Sequence, residues 1–436
     1  MTTFERFERS IPKLMTELAP ARVPEYFDDM LRETASHGQR PAWSYPERWL
    51  PVEITARPLS TRSFPWRPLA ILALIALLVA AGLAVYIGSQ TRLPPPFGVA
   101  GNGVLLYHAP GGAVVSFDPK TGSQATLASA ADHRGEPFPS RDGQRVAYIP
   151  RSDEWAQIIV SRIDGSEATP LAGKYRGIES VAWSPDGRQL AITSFDLIRK
   201  SITIIEADGS AAHALDLKHD VWQMAYLADG RLAIIAAERP RDSCPVEDPN
   251  VSPCALFVVN ADGTGLDVLI PAADFHGLKI DPSPDGAELV WVEWSIGSGT
   301  IEQPDAPGRL HVFDLATGVD RRVPDDAFPA LYNINRAGFS PDGSAILFDF
   351  FEVEGDHWAV VPATGGAPMR LGQKVPKSGT DAAWAPDGRS VLARYPTTDD
   401  ELGPSELWIL DATGGGADRR LDVEVPYLPT WQRVAR

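Results

Sequence analysis

Trp183-Ser184-Pro185-Asp186-Gly187 is the stretch that decides how this chain folds. Its last four residues return as Ser283-Pro284-Asp285-Gly286 and Ser340-Pro341-Asp342-Gly343, and with one change as Ala385-Pro386-Asp387-Gly388. Weaker copies are Ser140-Arg141-Asp142-Gly143 and Leu227-Ala228-Asp229-Gly230. The six Asp positions are 142, 186, 229, 285, 342 and 387, separated by 44, 43, 56, 57 and 45 residues. The phrase spells a hairpin turn. Pro pre-sets the backbone, Asp bonds back to local amides, and Gly takes the left-handed conformation that other residues resist. Trp183, Tyr226, Phe339 and Trp384 precede their copies, and a β-rich run follows each, such as Gln189 to Thr193 and Ser390 to Arg394. A further strand leads to a second Gly turn, as Ser201 to Glu206 does before Asp208-Gly209, and a short polar strand ends each unit. Four strands in about 45 residues is the period of a β-propeller blade.

The array also closes. Trp431 matches Trp183 and Trp384, but no Pro-Asp-Gly follows it. Gly103 to Tyr107, Ala113 to Asp118 and Gln124 to Ala128 supply three strands with no aromatic strand before them. The last strand is therefore expected to complete the first blade. Six turns plus this hybrid predict an all-β, seven-bladed propeller over residues 98–434. A closed ring leaves only short, protected edges.

These repeats resemble the TolB-type, WD40-like (Pro-Asp-Gly repeat) propeller family, whose mark is the Trp-Ser-Pro-Asp-Gly unit at Trp183 to Gly187. The resemblance covers about residues 98–434. It implies a scaffold that binds protein, peptide or carbohydrate, and such repeats also occur as non-catalytic domains beside hydrolases. Fold alone does not choose among these roles.

Composition narrows the field. The 436 residues carry a net charge of −17, and residues 93–436 alone hold 29 basic and 48 acidic residues. A nucleic-acid binder needs clustered Lys and Arg to neutralise phosphates, so that class is set aside. There is no Gly-x-Ser-x-Gly elbow, no His-Glu-x-x-His and no P-loop. The eight His are scattered, so no metal or cofactor is expected. One Asp per turn is too few for a calcium site of six to eight oxygens, and the Asp-Gly pairs read as turn residues. No catalytic residue is assigned. The two Cys, Cys244 and Cys254, fall in one Pro/Asp-rich stretch, and an oxidising compartment would permit a bridge between them.

Leu69 to Ile87 is a run of 19 residues without a charge. At about 1.5 Å per residue it spans about 28 Å, the thickness of a hydrocarbon core. Arg57, Arg62 and Arg67 precede it and only Arg92 closely follows. The positive-inside bias then predicts a transmembrane helix over 68–89, residues 1–67 in the cytoplasm, a linker over 90–97 and an exported propeller at the plasma membrane. Residues 1–67 read as two short amphipathic helices and a Pro/aromatic strip. Leu14, Met15, Leu18, Phe27, Met30, Leu31, Trp43 and Trp49 form a candidate partner face. Segments this short cannot bury a full core unaided, so exposed apolar stripes point to a partner. The layout resembles single-pass anti-sigma-type proteins, which implies a sigma-factor-like cytosolic partner. The His-x-x-x-Cys-x-x-Cys zinc signature of one such class is absent, since residues 1–67 hold no Cys.

Within each blade the turns after the first and third strands are short and share one face. Connections after the second strand leave the other face, and several are long: Glu238 to Pro253, Ser295 to Gly308 and Pro396 to Pro404. Blade-to-blade connections share that face, including Pro324 to Asn333. Function concentrates on loops over a rigid scaffold, so the candidate ligand residues are Asp242, Glu247, Asp248, Glu302, Asp305, Asp325, Asp326, Asp399, Asp400 and Glu401. The expected role is a non-catalytic sensor or interaction platform for an extracytoplasmic protein, peptide or carbohydrate. The alternative is an exported propeller hydrolase or lyase acting on carbohydrate at the central funnel. Inward carboxylates at glycosidase separation would favour the enzyme, and a funnel of mixed groups would favour binding.

Overall fold

The turn phrase folds as its chemistry requires. The Ser184 hydroxyl donates to Asp186 Oδ1 at 2.7 Å, and the same carboxylate oxygen accepts from the Arg188 amide at 3.0 Å. The Ser184 hydroxyl in turn accepts from the Gln189 amide at 2.9 Å. Gly187 sits at φ +66°, where a Cβ would be strained. The network repeats at Ser140, Ser283 and Ser340, whose hydroxyls donate to Asp142, Asp285 and Asp342 at 2.5, 2.6 and 2.6 Å. The Ser283 hydroxyl and the Ala287 amide hold the Asp285 carboxyl below the usual carboxylate range. Where Ala385 replaces Ser, Asn102 takes over. It accepts from the Asp387 amide at 2.9 Å and donates to the Asp387 carboxylate at 2.7 Å.

The computed structural model describes residues 93–109, 111–129, 136–150, 155–195, 200–239, 254–293, 309–323, 334, 336–352, 355–372, 381–398 and 403–436, with 29–30, 32–33 and 72–77 ahead of them. Two compact units divide at Gln90/Thr91, and the second is the propeller. Seven four-stranded antiparallel sheets form its blades. The first contains β1 (Gly101–His108), β2 (Val114–Phe117) and β3 (Gln124–Ala128). The second is β4 (Phe138–Pro139), β5 (Arg145–Tyr148), β6 (Ile159–Arg162) and β7 (Thr169–Pro170). The third is β8 (Ile178–Trp183), β9 (Gln189–Phe195), β10 (Lys200–Glu206) and β11 (Ala212–Ala214). The fourth is β12 (Val221–Tyr226), β13 (Leu232–Ala237), β14 (Cys254–Val259) and β15 (Asp267–Ile270). The fifth is β16 (Gly277–Pro282), β17 (Glu288–Glu293), β18 (Arg309–Asp314) and β19 (Asp320–Arg322). The sixth is β20 (Ala337–Phe339), β21 (Ala345–Glu352), β22 (Gly355–Pro362) and β23 (Met369–Leu371). The seventh is β24 (Asp381–Trp384), β25 (Ser390–Pro396), β26 (Ser405–Asp411) and β27 (Arg419–Glu424).

The closing strand is β28 (Thr430–Val434), which joins the first blade in the order β28-β1-β2-β3. It is the innermost strand of a blade whose other three strands come from the opposite end of the domain. Leu105 faces Trp431 and Gly101 faces Val434. The expected hybrid closure is thus observed.

Each blade interface has its own apolar core. Ala147 and Val160 of the second blade pack with Trp183, Leu190 and Ile205 of the third. Leu105, Phe117 and Trp431 of the first pack with Leu392 and Leu407 of the seventh, which closes the ring. Leu190 and Ile192 face the second blade, while Ala191 between them faces the fourth. This alternation is the period-two signature of a strand covered on both sides. The Trp before the turn also staples blades through its polar edge. Trp183 Nε1 donates to Phe138 O at 2.9 Å, and Trp384 Nε1 donates to Gly338 O at 3.2 Å.

No described helix is long and apolar enough to cross a membrane. Of the expected span only 72–77 is described, as helix with Leu72, Leu74, Ile75 and Leu77 exposed. Met30 is helical and 53% exposed, and the rest of the candidate cytosolic face lies outside the described residues. Cys254 is buried, while Cys244 lies outside the described residues, as does the bridge expected between them.

Candidate functional site

The innermost strands line a central channel, and the turn phrase gives its register. The residue four places before the start of the phrase is Glu136, Ser180, Gln223, Lys279, Arg336 and Asp381 in the second to seventh blades. Every one is polar and no two are alike. Two places later stand Phe138, Ala182, Ala225, Asp281, Gly338 and Ala383, four of them Ala or Gly. Alternate residues share a side of a strand, so a polar ring sits above a layer of small side chains. That leaves room. A cavity of about 380 Å³ is lined by Gln223, Lys279, Asp281, Arg336, Gly338 and Ala383 among others. Its size is at the lower end for small-ligand sites. Trp358 also lines it, with an indole N–H that has no partner among the described residues.

Charge concentrates at the loop-side mouth of this channel. Arg336 and Asp381 form a close ion pair, and Arg394 binds the same Asp381 carboxylate at 3.0 Å. Arg394 is anchored further by Ser405 Oγ at 3.0 Å and Pro426 O at 3.1 Å. Asp349 accepts from the Arg336 amide at 2.7 Å. Glu136 from the second blade and Lys279 from the fifth act electrostatically on this group, yet neither makes a hydrogen bond or ion pair among the described residues. Burial raises the Glu136 carboxyl, and Asp381 raises it further. Burial lowers the Lys279 ammonium, and Arg336 adds to that. Both side chains remain in contact with water while protein surrounds them, as expected for walls of a wet channel. Among the described residues two charges of opposite sign thus stand unpaired in the channel wall.

Asp281 lies deeper on the same strand as Lys279. Its Oδ2 accepts from the Phe339 amide of the next blade at 2.9 Å. Burial still pushes its carboxyl up to about 6, against the pull of that bond and of Arg141. Among the described residues no group of three or more His, Cys, Asp and Glu could hold a metal.

All ten acidic loop residues singled out from the sequence lie outside the described residues. Sequence reasoning passed over the channel ring, although its signal was present. Once the phrase fixes the strand register, the fourth residue upstream is polar in six of seven blades. In the first blade the matching position, three before Trp431, is Leu428.

No family model matches the chain, and no curated protein matches it. Solved structures do. A structure from a study of two prolyl endopeptidases is 12% identical, covering 75% of this chain and 50% of that one at a TM-score of 0.53. This chain therefore spans half the length of that protein. Oligogalacturonate lyase in complex with manganese is 14% identical, covering 74% and 94% at a TM-score of 0.51. TolB from Acinetobacter baumannii is 14% identical, covering 75% and 81% at a TM-score of 0.44. At these identities the likeness is one of fold.

Proposed function

We propose that this is a single-pass membrane protein whose exported propeller binds a ligand at the loop-side mouth of its channel and does not catalyse. The observation that carries the reading is the mouth itself. Six different polar residues meet there on an otherwise repetitive scaffold, and Glu136 and Lys279 are left unpaired among the described residues. Mixed signs side by side suit recognition of a polar ligand such as a protein segment, peptide or sugar. The exposed Leu72, Leu74, Ile75 and Leu77 support an anchor in lipid, since four large apolar side chains within six residues are poorly placed in water. The cytosolic segment 1–67 then holds a protein partner, sigma-factor-like in the layout it resembles.

The test is crosslinking and pull-down of the intact protein from membranes, read separately for residues 1–66 and 93–436. An extracytoplasmic protein or glycan crosslinked near Glu136 or Lys279 is the expected result. Protease added to intact cells should digest the propeller and spare residues 1–66, and the reverse pattern would overturn the topology. One observation favours the enzyme reading. Glu136, with its raised proton affinity, stands near Asp381, and two carboxyls with unlike environments are what an acid and a base need in glycosidases. Polysaccharide cleavage that is lost in Glu136→Gln would establish it.

A further inference from the structure

At the opposite, turn-side end of the channel lies a segment of the chain's own linker. Arg433 of β28 donates through Nη2 to Pro95 O at 3.0 Å and to Gly98 O at 2.6 Å. The Ala100 amide donates to Pro386 O in the turn of the seventh blade at 2.8 Å. A Cβ on Gly98 would stand 3.8 Å from Pro341 O in the turn of the sixth. The Arg141 guanidinium, from the turn of the second blade, lies over the Phe97 ring at 4.1 Å. Residues 95–100 thus touch the seventh, first and second blades on the turn face and come close to the sixth. Arg141 comes from the second blade and interacts electrostatically with Asp281 of the fifth, so its guanidinium reaches into the channel, and Phe97 beneath it sets this segment under the channel's end.

Above this segment Arg141 interacts electrostatically with Asp281 of the fifth blade, and Arg433 stands near Arg141. Arg433 is occupied by linker carbonyls. Arg141 makes no hydrogen bond or ion pair among the described residues, and its side chain is half-buried. Burial and Arg433 bring its proton affinity down to about 10 while Asp281 opposes them, so it stays charged at neutral pH. A half-buried guanidinium with five donors and only an aromatic face beneath it leaves those donors open to a ligand.

We propose that the linker closes the turn-side end of the channel, and that Arg141 receives a carboxylate at the end of a ligand entering from the loop side. The inference rests on the reading that the channel binds a ligand. Two guanidinium groups against one carboxylate leave the floor net positive. The planar fork of Arg141 suits a carboxylate, and Asp281 opposite disfavours a dianion such as phosphate. A blind channel excludes a polymer threaded through it and selects a chain end, such as a peptide C-terminus or an acidic sugar.

The probes are N-acetyl-tri-alanine and its C-terminal amide, titrated into the full-length chain. The free acid should bind at least tenfold more tightly than the amide, and inorganic phosphate should compete poorly. Arg141→Gln should erase the preference, and Arg141→Lys should keep part of it. Because loss of Arg141 could disturb the floor, each variant is also melted. Arg231→Gln, which removes a guanidinium paired with Asp229 on an outer turn, should leave the preference intact. Phe97→Ala should weaken acid binding several-fold, since Arg141 loses the ring that holds it. Equal binding of acid and amide, binding of neither, a preference that survives Arg141→Gln, or tighter binding of phosphate each overturns the proposal. If pull-down finds a ligand at the loop-side mouth while the peptides show no preference, this inference fails and the binding reading stands. If the peptide is hydrolysed, the non-catalytic reading fails and the carboxylate site stands.

Discussion

The two ends of the channel are built on opposite principles. At the turn end the same three side chains recur, and Ser, Asp and Gly close the same small network in four blades. At the loop end no residue recurs, and Glu136, Ser180, Gln223, Lys279, Arg336 and Asp381 hold equivalent places. The turn end specifies blade after blade. The loop end distinguishes one blade from the next. Repetition marks what the fold needs, and its failure at a fixed register marks what the fold leaves free for function.

The sharpest way to break this comparison is to remove the closing strand. Deleting residues 426–436 takes away β28 and with it Trp431, the Arg433 bonds to the linker and the Gln432 bond to Gly143 O at 2.7 Å. It exposes the inner edge of β1 and opens the ring. The expected result is a drop in melting temperature of about 10 °C or more, or failure to fold. A chain that melts normally without these residues would mean that the blades stand independently.

The turns offer a graded test. Gly143 and Gly230 occupy the same place in their phrases, at φ +68° and +89°. A Cβ on Gly143 would meet Arg433 O at 1.8 Å, while one on Gly230 would have nothing within 4 Å. Gly230→Ala should therefore cost about 1 kcal/mol, the backbone strain alone. Gly143→Ala should cost about 3 kcal/mol or more, because it also drives the turn away from β28. Equal losses by denaturant titration would show that the contact between first and second blades contributes little.

How much of this was legible follows from the same contrast. Asp186 and Gly187 carry local information, since their partners lie within five residues, and a hairpin can be read from them without the rest of the chain. The ring closure was legible because an unpaired Trp431 strand and three orphan strands at the other end had one economical solution. The pairing of Arg336 with Asp381, 45 residues away, was not, because it depends on two blades meeting at an axis. Arg141 was hidden for a different reason. It stands where Pro185 and Pro284 stand in other copies, so it looked like decay of the phrase, although its guanidinium interacts with Asp281 of the fifth blade.

Asp281 sharpens the contrast through pH. Its carboxyl titrates near 6 in the folded chain and near 3.9 when unfolded. Above pH 6 both states are charged and the folded state bears the full cost of burying the charge. Below about pH 4 both are protonated and the cost is gone. The contribution of this residue to stability is thus best at low pH and is lost as pH rises through 6. Asp281→Asn keeps an oxygen for the Phe339 amide and removes the charge. At pH 7 it should stabilise by about 1–2 kcal/mol, less than the full shift implies because channel water screens the site. The gain should fade to nothing by about pH 4. A gain independent of pH would show that the carboxylate is not desolvated.

The smallest expected effect lies at the loop end. Asp399, Asp400 and Glu401 fall in the sequence between β25 and β26 and lie outside the described residues. With residues 93–436 at a net −19, a cationic ligand is drawn from a distance, and that pull decays over about 8 Å at physiological salt. Rim charges change the rate of encounter more than the lifetime of the complex. Replacing the three by Asn, Asn and Gln should slow association of N-acetyl-tri-lysine about two- to threefold at low salt, with dissociation unchanged. The difference should vanish as salt rises, whereas Arg141→Gln should speed dissociation of the same peptide at every salt concentration. The two variants separate the ends of the channel by kinetics. On the proposed reading the loops govern arrival and the floor governs residence, and a loop variant that altered only dissociation would place those carboxylates in contact with the ligand and not at its approach.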